Sequence, residues 1–212
     1  MKDLVLIGAG GFGREVVTYI NDINAAEPTW NLLGFIDDFA TETPEGYPVI
    51  GTMETLLAMD PKPYFAVPIA NSQVREQLVN RCLEAGMKPA TLIHPDSKIG
   101  DKNEIGEGCI ICREFSTGPN VTIGAYSIVN VKCAFGHDAY VEPYNTFMSE
   151  ALIAGETYID KHCYIGLRCT MINRVKVTQQ CTFGACCCIV RDAVEPGTYV
   201  GVPAKLIKPL QK

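Results

Sequence analysis

One short sequence period dominates this chain beyond residue 90. From Ile93 to Ile189, every sixth residue is large and apolar except Thr117, and the register does not slip. Buried side chains recur with periods near 3.6 in helices and near 2 in ordinary strands, so neither element explains this spacing. A fixed hexad is typical of a solenoid, the parallel β-helix, in which each repeat supplies one short strand and one corner. The repeated positions are Ile93, Ile99, Ile105, Ile111, Thr117, Ile123, Val129, Phe135, Val141, Phe147, Ile153, Ile159, Ile165, Met171, Val177, Phe183 and Ile189.

Glycine often follows the large residue of a hexad, for example at Gly136 and Gly184. Because glycine tolerates a positive φ, we expect these glycines to form the tight corners between strands. Three such sides would close a coil of about eighteen residues. The pattern ends at Glu195-Pro196-Gly197, so we expect the residues that follow to cap the open end of the coils.

Residues 1–90 lack the hexad and alternate strand-like with helix-like runs. Apolar runs at 4–7, 32–36 and 64–67 predict strands, and the segments 14–24 and 72–85 predict helices. Strands that alternate with helices imply a parallel sheet with right-handed crossovers. The sequence therefore predicts a small Rossmann-like α/β domain over residues 1–90, followed by an all-β domain, a parallel β-helix, over residues 91–212.

A glycine-rich turn joins the first predicted strand to the first predicted helix. Its sequence, Gly8-Ala9-Gly10-Gly11-Phe12-Gly13, satisfies the G-x-G-x-x-G pattern, whose backbone N–H groups can approach a phosphate. Asp37 or Asp38, at the end of the second strand, could bind a ribose hydroxyl. A dinucleotide fold has two mononucleotide halves and residues 1–90 provide about one, so a nucleotide-sugar fits better than NAD. A tight turn without any ligand is the alternative interpretation.

Histidine is scarce, since the chain contains only His94, His137 and His162. We expect His94 to make structural hydrogen bonds and His162 to be solvated at a corner. His137 lies at another corner beside Asp138, so its ring can project from the coil surface. An imidazole is suited to proton abstraction near neutral pH, and a neighbouring carboxylate can fix its tautomer. The spacing thus makes His137 a candidate general base.

The chain has ten cysteines, and most of them follow the hexad. One small-residue position of the repeat, two residues before the large one, holds Cys109, Cys133, Cys163, Cys169, Cys181 and Cys187. Free cysteine packs as a small hydrophobe, so we interpret these six as core residues, which persist most easily in a reducing compartment. Cys109-x-x-Cys112 is half of a zinc-site spacing without a second half, and we predict no metal site.

The net charge and the first residues of the chain indicate which binding partners and which compartment to expect. The formal net charge is −6 and the pI is about 5.1, which argues against binding to nucleic acid or to an anionic membrane. We expect the first residues to form a short strand rather than a signal peptide or a membrane span, because their apolar run is too short for either. We therefore expect a cytoplasmic protein. Beyond the last coil, Gly201-Val202-Pro203-Ala204-Lys205 is either a capping turn or a segment that places Lys205 near the phosphates of a cofactor.

Taken together, these features resemble a known family. They are the Gly8–Gly13 turn, the strand end at 36–38, the segments 71–75 and 92–95, the hexads, Gly136-His137-Asp138 and the segment 201–205. The chain resembles the hexapeptide-repeat acyltransferases of the sialic-acid O-acetyltransferase and bacterial UDP-amino-sugar N-acetyltransferase type. The resemblance implies a left-handed β-helix homotrimer, with acetyl-CoA in the groove between neighbouring subunits and a nucleotide-sugar on the N-terminal domain.

The resemblance also implies roles for single residues. His137 matches the general base of the family, and Asp138 matches the acidic residue that supports it. The positions that match substrate contacts are Gly10, Gly11, Phe12, Asp37, Asp38 and Asn71. The positions that match the acetyl-CoA site are Thr146, Gly155, Leu167, Ala185 and Lys205. Phe12 and Thr146 each replace a histidine that is frequent in amino-sugar enzymes, and Ala70 replaces a common glycine, so the substrate is not determined by the resemblance.

The leading hypothesis is acetyl transfer from acetyl-CoA to an amine or a hydroxyl of a nucleotide-linked sugar, in bacterial surface-glycan biosynthesis. One alternative is O-acetylation of a free sugar such as sialic acid. A second is a non-catalytic trimer that binds a nucleotide-sugar. A third is a zinc-dependent hydratase on the same fold, which needs three converging ligands, whereas only His137 and His162 lie well inside the coils.

Overall fold

A computed structural model describes residues 1–210 of the chain. The chain divides into two compact units, of which unit 1 ends at Pro95 and unit 2 begins at Asp96. Within residues 1–210, no helix combines the length and the apolar character that crossing a membrane requires.

Unit 1 is a four-stranded parallel sheet with three helices. Its elements are β1 (Lys2–Ile7), α1 (Gly11–Ala26), β2 (Trp30–Ile36), β3 (Val49–Gly51), α2 (Met53–Ala58), β4 (Tyr64–Ala66), α3 (Ser72–Glu84) and a short strand β5 (Leu92–Ile93). The sheet order is β3-β2-β1-β4, and every pairing is parallel, as the alternation of strands and helices predicts. The central strand β1 is fully buried at Leu4, Val5 and Leu6.

The predicted start of α1 was wrong, and two elements of unit 1 were missed. Helix α1 begins at Gly11 rather than Arg14, because Gly10 is its N-cap and the glycine turn runs directly into the first helical turn. β3 and α2 contain three and six residues, which is too short for a hydrophobic period to be recognised.

Unit 2 is a parallel β-helix with three sides. Side 1 consists of the strands Ile110–Ile111, Ile128–Val129, Thr146–Phe147, Tyr164–Ile165 and Cys181–Phe183. Side 2 consists of Ser116–Thr117, Ala134–Phe135, Leu152–Ile153, Thr170–Met171 and Cys188–Ile189. Side 3 consists of Glu104–Ile105, Thr122–Ile123, Tyr140–Val141, Tyr158–Ile159 and Lys176–Val177. Each strand pairs in parallel with the strand one coil later, as Ala134 does with Leu152. The coil length of eighteen residues (152 − 134) that the hexad predicts is therefore confirmed.

From Ile111 to Ile189 the large residue of each hexad is buried inside the β-helix, whereas Ile99, near its first coil, is 38% exposed. Phe135 contacts Phe115 and Phe147 with ring centroids 5.1 and 4.7 Å apart, and all three rings are buried. Thr117, the polar exception, accepts hydrogen bonds from the Gly100 backbone at 2.9 Å and from the side chain of Asn103. Its hydroxyl thus binds groups of the preceding coil that an apolar residue would leave unbonded.

The six cysteines of the hexad are confirmed as core residues, because each is at most 1% exposed. Burial raises the pKa of Cys133 to about 12 and that of Cys169 to about 11, so both remain neutral thiols at physiological pH.

The corners differ from the prediction. The positive φ falls not on the glycine after the large residue but two residues later, on side chains that include Asn and Asp. These left-handed corner residues are Lys102, Glu114, Asn120, Tyr126, Lys132, Asp138, Tyr144, Glu150, Glu156, His162, Arg168, Arg174, Gln180 and Cys186. The glycines are required by close packing between coils, since a Cβ at Gly136 would lie 2.4 Å from the Gly155 nitrogen.

The C-terminal segment only partly forms the expected cap. Gly197–Val200 extends side 1 by pairing in parallel with Cys181–Phe183, which the loss of the hexad did not predict. Lys205–Pro209 then pairs with it in antiparallel orientation and ends the parallel ladder.

Candidate active site

The two residues predicted to carry the chemistry are in direct contact. His137 and Asp138 form the corner between the side 2 strand Ala134–Phe135 and the side 3 strand Tyr140–Val141. Asp138 Oδ2 lies 2.7 Å from His137 Nδ1. A carboxylate can only accept, so Nδ1 carries the proton in this contact and Nε2 is left as the basic nitrogen. Hydrogen bonds from His137 and, secondarily, from Asn120 hold the pKa of Asp138 below its ordinary value.

Gly155 lies against the basic nitrogen of His137 from the next coil. A Cβ built at Gly155 would be 2.8 Å from His137 Nε2 and 2.9 Å from the His137 carbonyl oxygen. The Glu156 N–H donates to that same carbonyl at 2.9 Å, which fixes the distance between the two corners. The observed position of the imidazole therefore depends on the absence of a side chain at residue 155.

Four of the residues matched to acetyl-CoA border side 2 of the β-helix, and all of them except Gly155 are exposed. Gly155 lies at one edge of side 2, and Leu167 and Ala185 lie at the corner along its opposite edge. Lys205 follows the C-terminal turn, which binds side 2 through the Ala204 N–H and the Cys188 carbonyl, 2.8 Å apart. Two open depressions lie on this side, lined among others by Ala134, Leu152, Thr170, Glu150 and Arg168.

Three further sequence candidates lie elsewhere. Thr146 is in a side 1 strand and is only 1% exposed. His94 is buried and its Nε2 lies 3.0 Å from Asp22 Oδ2, which confirms its structural hydrogen bond. His162 is half-buried and stacks on Tyr144, with ring centroids 5.5 Å apart, rather than being solvated. Within residues 1–210, no three His, Cys, Asp or Glu side chains are arranged to hold a metal ion.

The glycines of the turn between β1 and α1 have two different roles. Gly8 has a φ of +109°, and a Cβ at Gly13 would lie 2.1 Å from the Gly8 carbonyl oxygen, so both are required by the fold. A Cβ at Gly10 or Gly11 would meet no neighbouring group within 4 Å in residues 1–210. The backbone there is open at the N-terminus of α1, and no folding constraint explains the missing side chains. Phe12, in the same helical turn, is half-buried.

The polar substrate candidates of unit 1 all bind backbone groups. Asp37 accepts from the N–H groups of Ala9, Phe39 and Ala40 at 2.8–2.9 Å. Partial burial raises the pKa of Asp37, but these three donors outweigh burial and leave the pKa below its ordinary value. Asp38 Oδ1 accepts from the first residue of α2 at 2.8 Å, and the Asn71 side chain caps α3. These carboxylates shape the loop as well as face the adjoining cavity.

That cavity has a volume of about 240 Å³ and opens beside the glycine turn. Gly8, Asp37, Asp38, Phe39 and Ile69 contribute to its lining. Phe39 is 97% exposed, although it borders the cavity. Sequence reasoning missed Phe39, and its only signal was its place directly after the Asp37-Asp38 pair.

Comparison with known proteins identifies relatives over most of the chain. The family described as the PglD N-terminal domain matches residues 3–82. GDP-perosamine N-acetyltransferase of Escherichia coli O157:H7 is 33% identical over 163 residues, which cover 76% of this chain and 74% of that protein. UDP-N-acetylbacillosamine N-acetyltransferase of Bacillus subtilis is 32% identical over 117 residues, covering 52% of this chain and 51% of that protein.

A solved structure extends the similarity to nearly the whole chain. The acetyltransferase domain of PglB from Neisseria gonorrhoeae FA1090, in complex with acetyl coenzyme A, is 27% identical with a TM-score of 0.88. The match covers 97% of this chain and 99% of that one. The fold class, a small parallel α/β sheet followed by a left-handed parallel β-helix, is thereby confirmed. The chain belongs to the hexapeptide-repeat acetyltransferases that act on nucleotide-linked sugars.

Proposed function

We propose that this enzyme transfers an acetyl group from acetyl-CoA to the amine of a sugar linked to a nucleoside diphosphate, with His137 as the general base. The observation that carries the proposal is the 2.7 Å contact between His137 Nδ1 and Asp138 Oδ2, which leaves Nε2 to accept a proton. We favour an amine over a hydroxyl because both curated relatives are named as N-acetyltransferases.

The proton-transfer step follows from this geometry. Nε2 removes a proton from the amine while the amine nitrogen attacks the thioester carbonyl, and the imidazole becomes an imidazolium. The C–S bond of the thioester then breaks, and the imidazolium gives its proton to the departing CoA sulfur, which leaves as the free thiol. Asp138 stabilises that cation through Nδ1 and keeps the ring in one tautomer. A backbone N–H at the coil corner would stabilise the negative charge that develops on the carbonyl oxygen.

Acetyl-CoA supplies the acetyl group as an activated thioester. We propose that it lies along side 2, where the open depressions are lined by Ala154 and Arg168, the chain neighbours of Gly155 and Leu167. Lys205 would bind the phosphates of the nucleotide part, since it follows the turn that closes this side. Thr146 lies in a side 1 strand and is 1% exposed, so we propose that it contributes to packing rather than to the donor site.

Unit 1 is proposed to hold the nucleotide-sugar. Gly10 and Gly11 expose backbone N–H groups at the N-terminus of α1, where the helix dipole favours an anionic phosphate. Asp37, Asp38, Phe12 and Asn71 surround or adjoin this turn and would contact the nucleoside or the sugar. We further propose a homotrimer that works in the cytoplasm, where acetyl-CoA is available.

Gly11→Asp tests the phosphate contact. The new carboxylate has space in the structure, but it would repel a phosphate at the helix N-terminus. We expect KM for the nucleotide-sugar to rise at least about tenfold, with KM for acetyl-CoA and the melting temperature unchanged. Thr18→Asp, which adds the same charge to an exposed position further along α1, is the matched control. An unchanged KM in Gly11→Asp would exclude a phosphate at this turn.

The substrate class is tested by thiol release from acetyl-CoA in the presence of different acceptors. The panel contains GDP-perosamine, a UDP-linked amino sugar, the corresponding sugar without an amine, and free sialic acid. We expect release above the hydrolysis background only with the nucleotide-linked amino sugars. Release with sialic acid alone would favour the O-acetyltransferase, and release with no acceptor of the panel would favour a non-catalytic binding protein.

A further inference from the structure

The left-handed corner residues form columns, because each corner repeats at an interval of eighteen residues. The column that contains Asp138 consists of Lys102, Asn120, Asp138, Glu156 and Arg174, and we call it the polar corner column. All five have φ between 55° and 66°, so their side chains leave the coils from equivalent positions. Neighbours in the column are therefore placed to bond each other from coil to coil.

Asn120 contacts the carboxylate oxygen that His137 does not use. Its Nδ2 donates to Asp138 Oδ1 at 3.1 Å, while Oδ2 lies 2.7 Å from His137 Nδ1. The Asp138 carboxylate is thus held from two sides, one oxygen by each neighbour. The corner backbone beneath it is also fixed, since the Asp138 N–H donates to the Pro119 carbonyl at 3.0 Å.

On the other side of Asp138, the next carboxylate of the column is engaged by a cation. Arg174 donates to Glu156 twice, at 3.0 and 2.9 Å, and this pairing keeps the pKa of Glu156 below its ordinary value. Asp138 therefore has a neutral donor one coil earlier and a paired carboxylate one coil later. Of the two column residues next to Asp138, Asn120 and Glu156, Asn120 is the uncharged one, and it hydrogen-bonds the Asp138 carboxylate.

We propose that Asn120 is a positioning residue for acetyl transfer, which holds the Asp138 carboxylate in the plane and at the distance that orient His137. This inference rests on the proposed function of His137 as the base. Asn120 does not touch the reacting atoms and acts only through Asp138. A freely rotating Asp138 would leave the imidazole in several orientations, of which only some direct Nε2 toward the substrate.

The first test is Asn120→Gly, which removes the amide but retains a residue that adopts positive φ without strain. We expect kcat/KM to fall about five- to tenfold, with KM for acetyl-CoA and the melting temperature unchanged. Lys102→Gly is the matched control, since Lys102 occupies the same column one coil before Asn120, and its kinetics should remain those of the unchanged enzyme.

A double-mutant cycle separates positioning from a general structural effect. In an Asp138→Gly background, Asn120→Gly should cause no further loss, because the residue through which it acts is gone. Losses that multiply in the double variant would overturn the proposal, and so would an Asn120→Gly enzyme with unchanged kcat/KM.

The pH dependence of kcat/KM supplies a third test, because a purely structural role of Asn120 would not change it. Asn120→Asp places a second carboxylate against Asp138. The other charged groups beside this pair are His137, the Glu156–Arg174 pair and Lys102, which lies one coil before Asn120 in the same column. The added negative charge favours the imidazolium, so the acid limb of kcat/KM should shift to higher pH. An unshifted acid limb contradicts the inference.

The His137→Ala variant distinguishes failure of this inference from failure of the proposed function. If His137→Ala is inactive while both Asn120 variants behave like the unchanged enzyme, only the role of Asn120 fails. If His137→Ala is fully active, the proposed function itself fails.

Discussion

His137→Ala is expected to lower kcat/KM for acetyl transfer by at least about 10²-fold, within the range that a general base contributes. The substitution removes Nε2, the nitrogen that the contact with Asp138 leaves free to accept the proton. Because the side chain is 58% exposed and belongs to a corner, the fold should not depend on it. Initial rates of thiol release, with the affinity for acetyl-CoA measured separately, distinguish loss of chemistry from loss of binding.

The control is the other histidine at a corner. His162 has a positive φ, unlike His137, and His162→Asn keeps a residue type that tolerates this conformation. Its stack on Tyr144 lies on a different corner from His137, so the activity should be retained. Near-normal turnover by His137→Ala, or equal losses in both variants, would contradict the assignment of His137 as the base.

Gly155→Ala should produce the second large loss, of the order of 10²-fold in kcat, by displacing the His137 ring. The added methyl group would lie 2.8 Å from Nε2, so the imidazole has to move, and 2.9 Å from the His137 carbonyl oxygen, so the corner backbone that carries the ring has to shift as well. The thiol-release assay measures the loss, and the melting temperature shows whether the coil is retained.

The double variant provides the control for this mechanism. In a His137→Ala background the ring is absent, so Gly155→Ala should add little to the loss already present. An unchanged kcat in Gly155→Ala would show that the His137 imidazole accommodates the methyl group without losing its catalytic position. A further large loss in the double variant would show that residue 155 acts independently of His137.

The hexad predicted the coils well because a parallel β-helix has one dominant constraint, an inward-facing side chain at every sixth residue. That register also placed His137 and Asp138 at a corner. It could not predict their 2.7 Å contact, since adjacent residues can point their side chains in different directions. The register could, however, have identified Asn120, which precedes Asp138 by one full coil.

The corner prediction failed for a physical reason. A single sequence does not show whether a glycine is required for a positive φ or for close packing. At Gly136 the second requirement applies, and the left-handed conformation falls on Asp138 instead. In unit 1, the G-x-G-x-x-G motif indicated the glycine turn. The three backbone N–H donors to Asp37 depend on the conformation of a loop, which hydrophobic periodicity does not predict.

The most direct test of the central claim is mass spectrometry of the sugar product. The enzyme is incubated with acetyl-CoA and a nucleotide-linked amino sugar, and the product is fragmented to locate the new acetyl group. We expect one acetyl group on the amine nitrogen in the unchanged enzyme and none above background with His137→Ala. An unmodified sugar despite thiol release, or an acetyl group on a hydroxyl, would contradict the account.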